Sequence, residues 1–369
     1  MTNIEHLYLH IPFCSGKCSY CAFFSKPYDE DIADKYIDSL IKELKYYQVI
    51  YKLSPKTIYI GGGTPTTLTV GQLEKLLVAL SDFKAVKEFT IETNPGLLCE
   101  EKIELFKKYG VNRVSIGVQS LDDKVLQYLN RRHTVADVEN TIALLKDSSF
   151  NNVSVDLISS LPNVSEADWC KTVEKAVSWG VQHMSVYCLS IEADTKFASM
   201  INSGELIPNS DDEELAMGAI AVNQLQNAEY HRYEISNYAK EGFECAHNLA
   251  YWQGKNFLGI GAGASSRLGL QRFTNIESIE EYIRLVEAGL FKNLFKPEIL
   301  SKQDDETERL MFMLRLEEGI SVDSFDVSKD IISRLDELVK LGMVEFVDNC
   351  YRVKLDKREL TNSICEFLL

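Results

Sequence analysis

The chain has 369 residues, 25% of them charged and 45% apolar, which is enough to bury a large core, expected as two domains with one dominant. A formal net charge of −16 excludes a general nucleic-acid binder and gives no reason for attraction to an anionic membrane. No run approaches the ~18 apolar residues that span a bilayer, and nine cysteines, an odd number, do not read as a disulfide framework, so the cytoplasm is expected, with at most peripheral membrane contact.

In chain order, Leu7–Ile11 is an apolar run of strand length. It leads into Cys14-Ser-Gly-Lys-Cys18-Ser-Tyr-Cys21, and Ile32, Tyr36, Ile37, Leu40, Ile41 and Leu44 then recur at helical spacing. Pro55 breaks the chain before a second strand, Thr57–Ile60, which ends in Gly61-Gly62-Gly63-Thr64-Pro65-Thr66. The pattern next predicts a helix over 70–81, a strand over Val86–Glu92, a helix over Glu100–Tyr109 stopped by Gly110, and a strand over Val111–Val118. Helical segments at 122–129 and 135–145 precede strand Val153–Ile158, helix Glu166–Trp179 and strand His183–Leu189.

Six consecutive βα units predict an α/β fold with parallel strands. No GxGxxG follows the first strand, so a dinucleotide-binding sheet is not supported. Notable residues fall at the C-terminal ends of the first five strands, as a barrel active site requires. The expectation is a partial (β/α)6, TIM-like barrel over residues 1–240. Beyond it, helices are expected at 212–227, 277–289 and 303–317, with a strand at Arg232–Ile235, while the stretch from Asn237 to Gly263 fits no clean period. The tail reads as helix 327–341, strands Met343–Phe346 and Tyr351–Leu355, and a helical piece to Leu369. Residues 241–369 are therefore expected as a smaller α+β domain that ends in a winged-helix-like module.

Three thiolates on one loop can take three corners of a metal site, and from spacing alone zinc or plain buried thiols stay open. In register with the motifs downstream, the cysteines say more. Cys14-x3-Cys18-x2-Cys21 after a first strand resembles the signature of the radical S-adenosylmethionine (SAM) superfamily. His10-Ile-Pro-Phe13, Gly61-Gly-Gly-Thr-Pro-Thr66, Glu92-Thr-Asn-Pro95, Gly117-Val-Gln-Ser120, Asn130-Arg-Arg-His133, Asp156-Leu-Ile, His247-Asn-Leu-Ala-Tyr-Trp252 and Gly259-Ile-Gly-Ala-Gly-Ala264 resemble its oxygen-independent coproporphyrinogen oxidase branch.

That resemblance implies a 4Fe-4S cluster held by Cys14, Cys18 and Cys21, with the open iron chelating SAM. It also implies an electron donor such as flavodoxin or ferredoxin, and leaves a homodimer open. Gly61, Gly62, Gly63 and Thr64 would receive the methionine amino group, Glu92 and Gln119 the ribose or the charged ends of SAM, and Arg131 its carboxylate, with Arg132 not distinguished from Arg131. Tyr8 shares a strand face with His10 and resembles the family's tyrosine near SAM. Asp156 lies in an apolar run, where an unpaired carboxylate is expensive; a SAM contact and a structural salt bridge both stay open.

The branch holds oxidases that decarboxylate coproporphyrinogen III and shorter haem chaperones that pass haem to respiratory haem proteins. The oxidases carry a fourth Cys where this chain has Phe23, and an N-terminal extension where it has thirteen residues before Cys14. Both departures resemble the chaperones, as does the HNxxYW stretch His247–Trp252. His247 is the haem-ligand candidate, with Cys245 as a rival thiolate and a purely structural imidazole as the alternative. Ser160 and Asn163 stand where relatives usually show glycines, which puts the geometry of that loop in question.

Overall fold

The computed structural model describes residues 3–323 and 327–368. Alternation along β1 (Asn3–Ile11) already sets the layout: Leu7, Leu9 and Ile11 are fully buried on one face, while His6, Tyr8 and His10 occupy the other. The same period of two runs through β2 (Lys52–Gly62), β3 (Glu88–Thr93), β4 (Arg113–Gln119), β5 (Val153–Ser159) and β6 (His183–Cys188). Their apolar faces, with Ile58, Ile60, Phe89, Ile91, Val114, Ile116, Val155 and Leu157, join the crossover helices in one large core. Each fully buried Leu or Ile there contributes about 1.5–3 kcal/mol.

The opposite face is polar, and its side chains bond across the sheet. Tyr59 donates to Glu92, Ser115 to Asp156, and Ser154 pairs with His183. A polar interior is what separates a hollow, ligand-taking half-barrel from a packed one.

Strands β1 to β6 are parallel and lie side by side in chain order. The sheet stays open, as a partial barrel must. β6 pairs antiparallel with β8 (Asn237–Ala239), which pairs in turn with the short β7 (His231–Arg232), so the strand expected at Arg232–Ile235 begins one residue earlier and is cut to two. On the other edge β9 (Leu258–Ile260) runs parallel to β1. A three-residue strand beside two glycines carries no period, which is why this segment read as irregular.

Pro55 does not break the chain before β2 but sits within it. The ladder to β1 jumps there from Ile4↔Leu53 to His6↔Thr57, and the bulge absorbs the missing N–H of proline.

A second hairpin sheet, β10 (Ser265–Leu268), β11 (Gln271–Thr274) and β12 (Glu298–Ile299), follows. The tail holds helix Lys329–Lys340, an antiparallel sheet of β13 (Ile320–Ser321), β14 (Val344–Val347) and β15 (Cys350–Val353), and helix Thr361–Leu368. Residues as far as Leu294 pack into the barrel's own core, and a separate cluster begins at Leu310. The packing thus draws the division later than the expected 240/241, because β9 and the Ile279–Glu287 helix complete the barrel's edge. Among the described residues no helix is long and apolar enough to cross a membrane.

The return segment is locked by Glu43, which sequence reading passed over. This carboxylate on the Glu30–Ile50 helix is fully buried and accepts from Gly261 N (2.8 Å), Tyr282 Oη (2.6 Å) and Asn275 Nδ2 (2.9 Å). Burial pushes its pKa up to about 7. The available signal was position: 43 falls on the apolar stripe of Tyr36, Leu40, Leu44 and Tyr47.

The questioned loop keeps a glycine-like path. Ser160 and Asn163 both lie in the left-handed region, at φ 58° and 64°. A side chain there costs ~1–2 kcal/mol, partly offset by the extra unfolded-state freedom that glycine would bring. Ser160→Gly is therefore expected to stabilise the protein by about 0.5–1 kcal/mol, read as a higher urea midpoint with unchanged slope.

Candidate cofactor and ligand site

The cysteine loop is pinned on three sides. It closes on itself through Lys26 N to Pro12 O and Tyr28 N to Cys14 O. The glycine loop after β2 holds it from above, with Gly63 N on Ile11 O (2.9 Å) and Thr64 N on Phe13 O (2.7 Å). The turn after the Asp123–Tyr128 helix holds its far end, with Asn130 Nδ2 on Lys17 O (2.6 Å) and Ser19 N on Leu129 O (3.0 Å).

The three thiols face one another closely enough for their charges to interact. Burial raises the pKa of Cys14 and Cys21, and the neighbouring Cys18 adds to both rises. Bringing them together as thiolates requires positive charge among them, which iron supplies. Among the described residues no three His, Cys, Asp or Glu side chains converge on a single ion-sized point. Three cysteine thiols on one loop are a donor set that fits an iron–sulfur cluster, whose protein ligands are thiolates.

Around the thiols stand the polar ends of the strands. Arg131 Nη1 donates to Cys18 Sγ (3.7 Å), and Nη2 to Asn94 Oδ1 (2.7 Å) and to Gly117 O. Its Nε is buried without a partner, an orphan donor that suits an incoming carboxylate. Arg132 instead lies against Gly16, where an added Cβ would meet its Nε at 2.7 Å, so the two arginines are now separated. Thr64 Oγ1 touches Cys14 Sγ (3.7 Å) and accepts from Asn94 Nδ2 (2.9 Å).

Glu92 accepts from Tyr59 Oη (2.8 Å) and Gly62 N (3.1 Å). Burial lifts its carboxyl pKa to about 7, opposed by the Tyr59 bond and reinforced by the Asp156 charge. Asp156 is raised as well, first by burial. Two half-buried carboxyls near one another ionise more readily when a cation lies beside them. At Gly61 a Cβ would stand 2.9 Å from the Glu92 carboxylate, and Gly62, at φ 114°, would drive one into the His10 ring at 2.6 Å. Gln119, at φ 69°, follows the β4 bulge and turns over the same opening.

Tyr8, Gly61, Gly62, Gly63, Thr64, Glu92, Gln119, Arg131, Asp156 and the three cysteines thus gather at the C-terminal ends and upper interior of β1–β5. Tyr59, which holds Glu92, escaped sequence reading although it lies two residues before Gly61 and therefore on the same face.

His247 is elsewhere. It sits on the Ala246–Trp252 helix, which plugs the opposite, N-terminal end of the half-barrel, and it is 1% exposed. Nδ1 pairs with Thr57 Oγ1 (2.7 Å), itself bonded to His6, and Nε2 with Tyr251 Oη (2.8 Å). Glu88 caps the helix start, accepting from Ala246 N (2.7 Å) and His247 N (3.0 Å). Cys245 is fully buried behind it, its Sγ on Glu88. Both of these haem-ligand candidates are buried, and neither lines the cleft on the β1 flank.

The cleft on the β1 flank has a volume of about 690 Å³. Its wall runs from Phe23 and Phe24 in the cysteine loop, past Tyr8 and His10, to Tyr251 and Phe312. Phe23 is 71% exposed, a large apolar side chain presented to solvent at the cleft's edge. Arg272 and Lys296 also line the cleft, as do Glu277, Glu298 and Glu308, and Arg272 is paired with Glu298 (2.8 Å) and Glu308 (3.3 Å).

Residues 8–176 match the Radical SAM superfamily. The chain is 37% identical over 322 residues to the haem chaperone HemW of Lactococcus lactis, spanning 86% of this chain and 83% of that one. It is 35% identical over 330 residues to the haem chaperone HemW of Bacillus subtilis, spanning 87% and 86%. Among solved structures, the Escherichia coli coproporphyrinogen III oxidase HemN, a radical SAM enzyme, superposes with a TM-score of 0.84 at 22% identity, over 99% of this chain and 90% of that one. That likeness shows the fold, and with it the radical SAM type of α/β sheet and the smaller C-terminal part with antiparallel sheets.

Proposed function

Because the chain belongs to the haem chaperone HemW family of radical SAM proteins, we propose that it binds haem and delivers it to haem-requiring respiratory proteins. In this reading Cys14, Cys18 and Cys21 hold a 4Fe-4S cluster, and the polar mouth holds SAM. When bound, that cluster supplies low-potential electrons, drawn from a donor such as flavodoxin or ferredoxin.

The chain's own residues do the positioning. Arg131 braces Cys18 and offers its unpartnered Nε to the SAM carboxylate. Glu92 and Asp156 offer negative charge to the cationic parts of SAM, and Tyr59 keeps Glu92 aimed. Gly61–Gly63 keep the mouth free of side chains, and Tyr8 walls it on the cleft side.

The observation that carries the haem reading is the aromatic cleft, which joins the cysteine loop at Phe23 to the HNxxYW helix at Tyr251. An aromatic slot suits a flat apolar macrocycle, and Lys296 in its lining can meet a carboxylate. Phe23 supports it further, standing where an oxidase carries a fourth cysteine.

The test is anaerobic reconstitution followed by separate titrations with SAM and haem. Iron and sulfide in equal amounts, and a saturable Soret change at equimolar haem, are expected. With coproporphyrinogen III, SAM and a reductant, no porphyrin should form. Porphyrin released together with 5′-deoxyadenosine would replace the chaperone reading with the oxidase one.

A further inference from the structure

The HNxxYW helix presents a tyrosine, not its histidine, to the cleft. His247 is held on every side: Thr57 on Nδ1, Tyr251 on Nε2, the Tyr59 ring stacked at 5.2 Å, and the helix start anchored by Glu88. To reach an iron in the cleft it would have to break both ring hydrogen bonds inside a buried site, leaving Thr57 and Tyr251 each short of a partner. His10, the other imidazole on the wall, is equally committed, with Nδ1 on Tyr8 Oη (2.9 Å) and Nε2 on Phe24 O (2.9 Å).

Tyr251 lies one helical turn after His247. It is half-buried, lines the cleft, and meets Phe257 edge-on at 4.4 Å. Its hydroxyl rests on His247 Nε2 at 2.8 Å. A phenol bonded to an imidazole whose other nitrogen is already engaged is held in one orientation, and burial, which pushes the His247 pKa down to about 3, keeps that imidazole neutral. The tautomer that donates from Nδ1 to Thr57 leaves Nε2 as a lone pair facing the phenolic proton. Phenolate oxygen is a hard ligand that suits ferric haem. Tyr8 forms a similar pair with His10, but its ring lies beside Tyr59 at 6.2 Å, toward Glu92 and the SAM mouth.

We propose that Tyr251 is the axial ligand for ferric haem in this cleft, and that His247 is the positioning residue that orients its hydroxyl. The proposal rests on the haem-binding reading above. In the step, an Fe–O bond forms at an open axial position and the phenolic O–H breaks. The proton leaves to solvent through the open cleft, the His247 ring stays neutral by shifting its own proton to Nε2, where it donates to the phenolate while Nδ1 accepts from Thr57, and no electron moves. Lys296 in the cleft's lining can meet a carboxylate of the macrocycle, while Arg272 is already paired with Glu298 and Glu308.

The test uses the full chain, titrated with ferric haem and followed by absorption, electron paramagnetic resonance and resonance Raman spectra. The wild type should give a high-spin ferric spectrum with an iron–phenolate vibration. Tyr251→Phe, nearly isosteric, should lose that vibration. His247→Gln should keep it but bind haem about 10- to 100-fold more weakly, as loss of a partner behind a metal ligand does. An imidazole-type or thiolate-type spectrum in the wild type overturns the assignment, without reference to any variant's folding. So does an unchanged spectrum in Tyr251→Phe, or loss of the phenolate vibration in Tyr8→Phe instead. No Soret change in the wild type at all overturns the haem-binding reading itself, a failure distinct from the wrong ligand.

Discussion

Cys18→Ala, reconstituted anaerobically, is expected to lose its visible iron–sulfur absorption and all but a trace of bound iron, while Arg131→Ala keeps the iron and binds SAM more weakly. The two variants probe adjacent atoms with different duties. Cys18 is one of three thiolates, and removing a corner leaves a cubane with two protein ligands. Arg131 touches that thiolate through Nη1 and keeps Nε free for an anion. A buried charge-assisted hydrogen bond is worth ~1.5–3 kcal/mol, so its loss should weaken SAM binding about 10- to 100-fold in equilibrium dialysis. Equal iron loss in both variants would mean that Arg131 serves the thiolate alone.

SAM affinity is expected to rise with pH up to about 7 and then level off. Burial holds the Glu92 carboxyl at about 7, against 4.5 for the free group. In the ligand-free protein this raised value contributes stability below pH 4.5 that is lost as pH rises through 7. A bound cation favours the ionised form, so binding expels the proton, and below pH 7 affinity should fall by up to about tenfold per pH unit. Asp156, Tyr59 and Arg113 also act on Glu92, the first and last through charge and Tyr59 through its hydrogen bond. Glu92→Gln should bind SAM more weakly at about pH 8 and with a flat profile between about pH 5.5 and 8. A slope that survives the substitution would move the titration to Asp156.

Much of this was legible because strands write their two faces into alternate residues. In β1, His6, Tyr8 and His10 interleave with Leu7, Leu9 and Ile11, so the interior was readable from the order of residues alone. The glycine and cysteine motifs sit where strands end, which placed them at one mouth. Three things were hidden, each for a physical reason. Strand β9 is too short and too glycine-rich to show a period, so its place beside β1 comes only from pairing. Glu43 looks like a solvated helix charge until Gly261, Tyr282 and Asn275 close over it. His247 was assigned a chemistry by its motif, but whether a ring nitrogen is free depends on Thr57, 190 residues away.

Strand β3 carries a consequence of its own. Its six residues put Glu88 at the base, capping the HNxxYW helix, and Glu92 at the mouth, four residues or ~13 Å further on. Both carboxylates point inward only because their separation is even. A single inserted or deleted residue between them would turn one outward whichever way the strand re-registered. Such an indel leaves either the helix uncapped or the mouth without its anion. Lineages of this protein should therefore tolerate substitution along β3 far better than any change in its length.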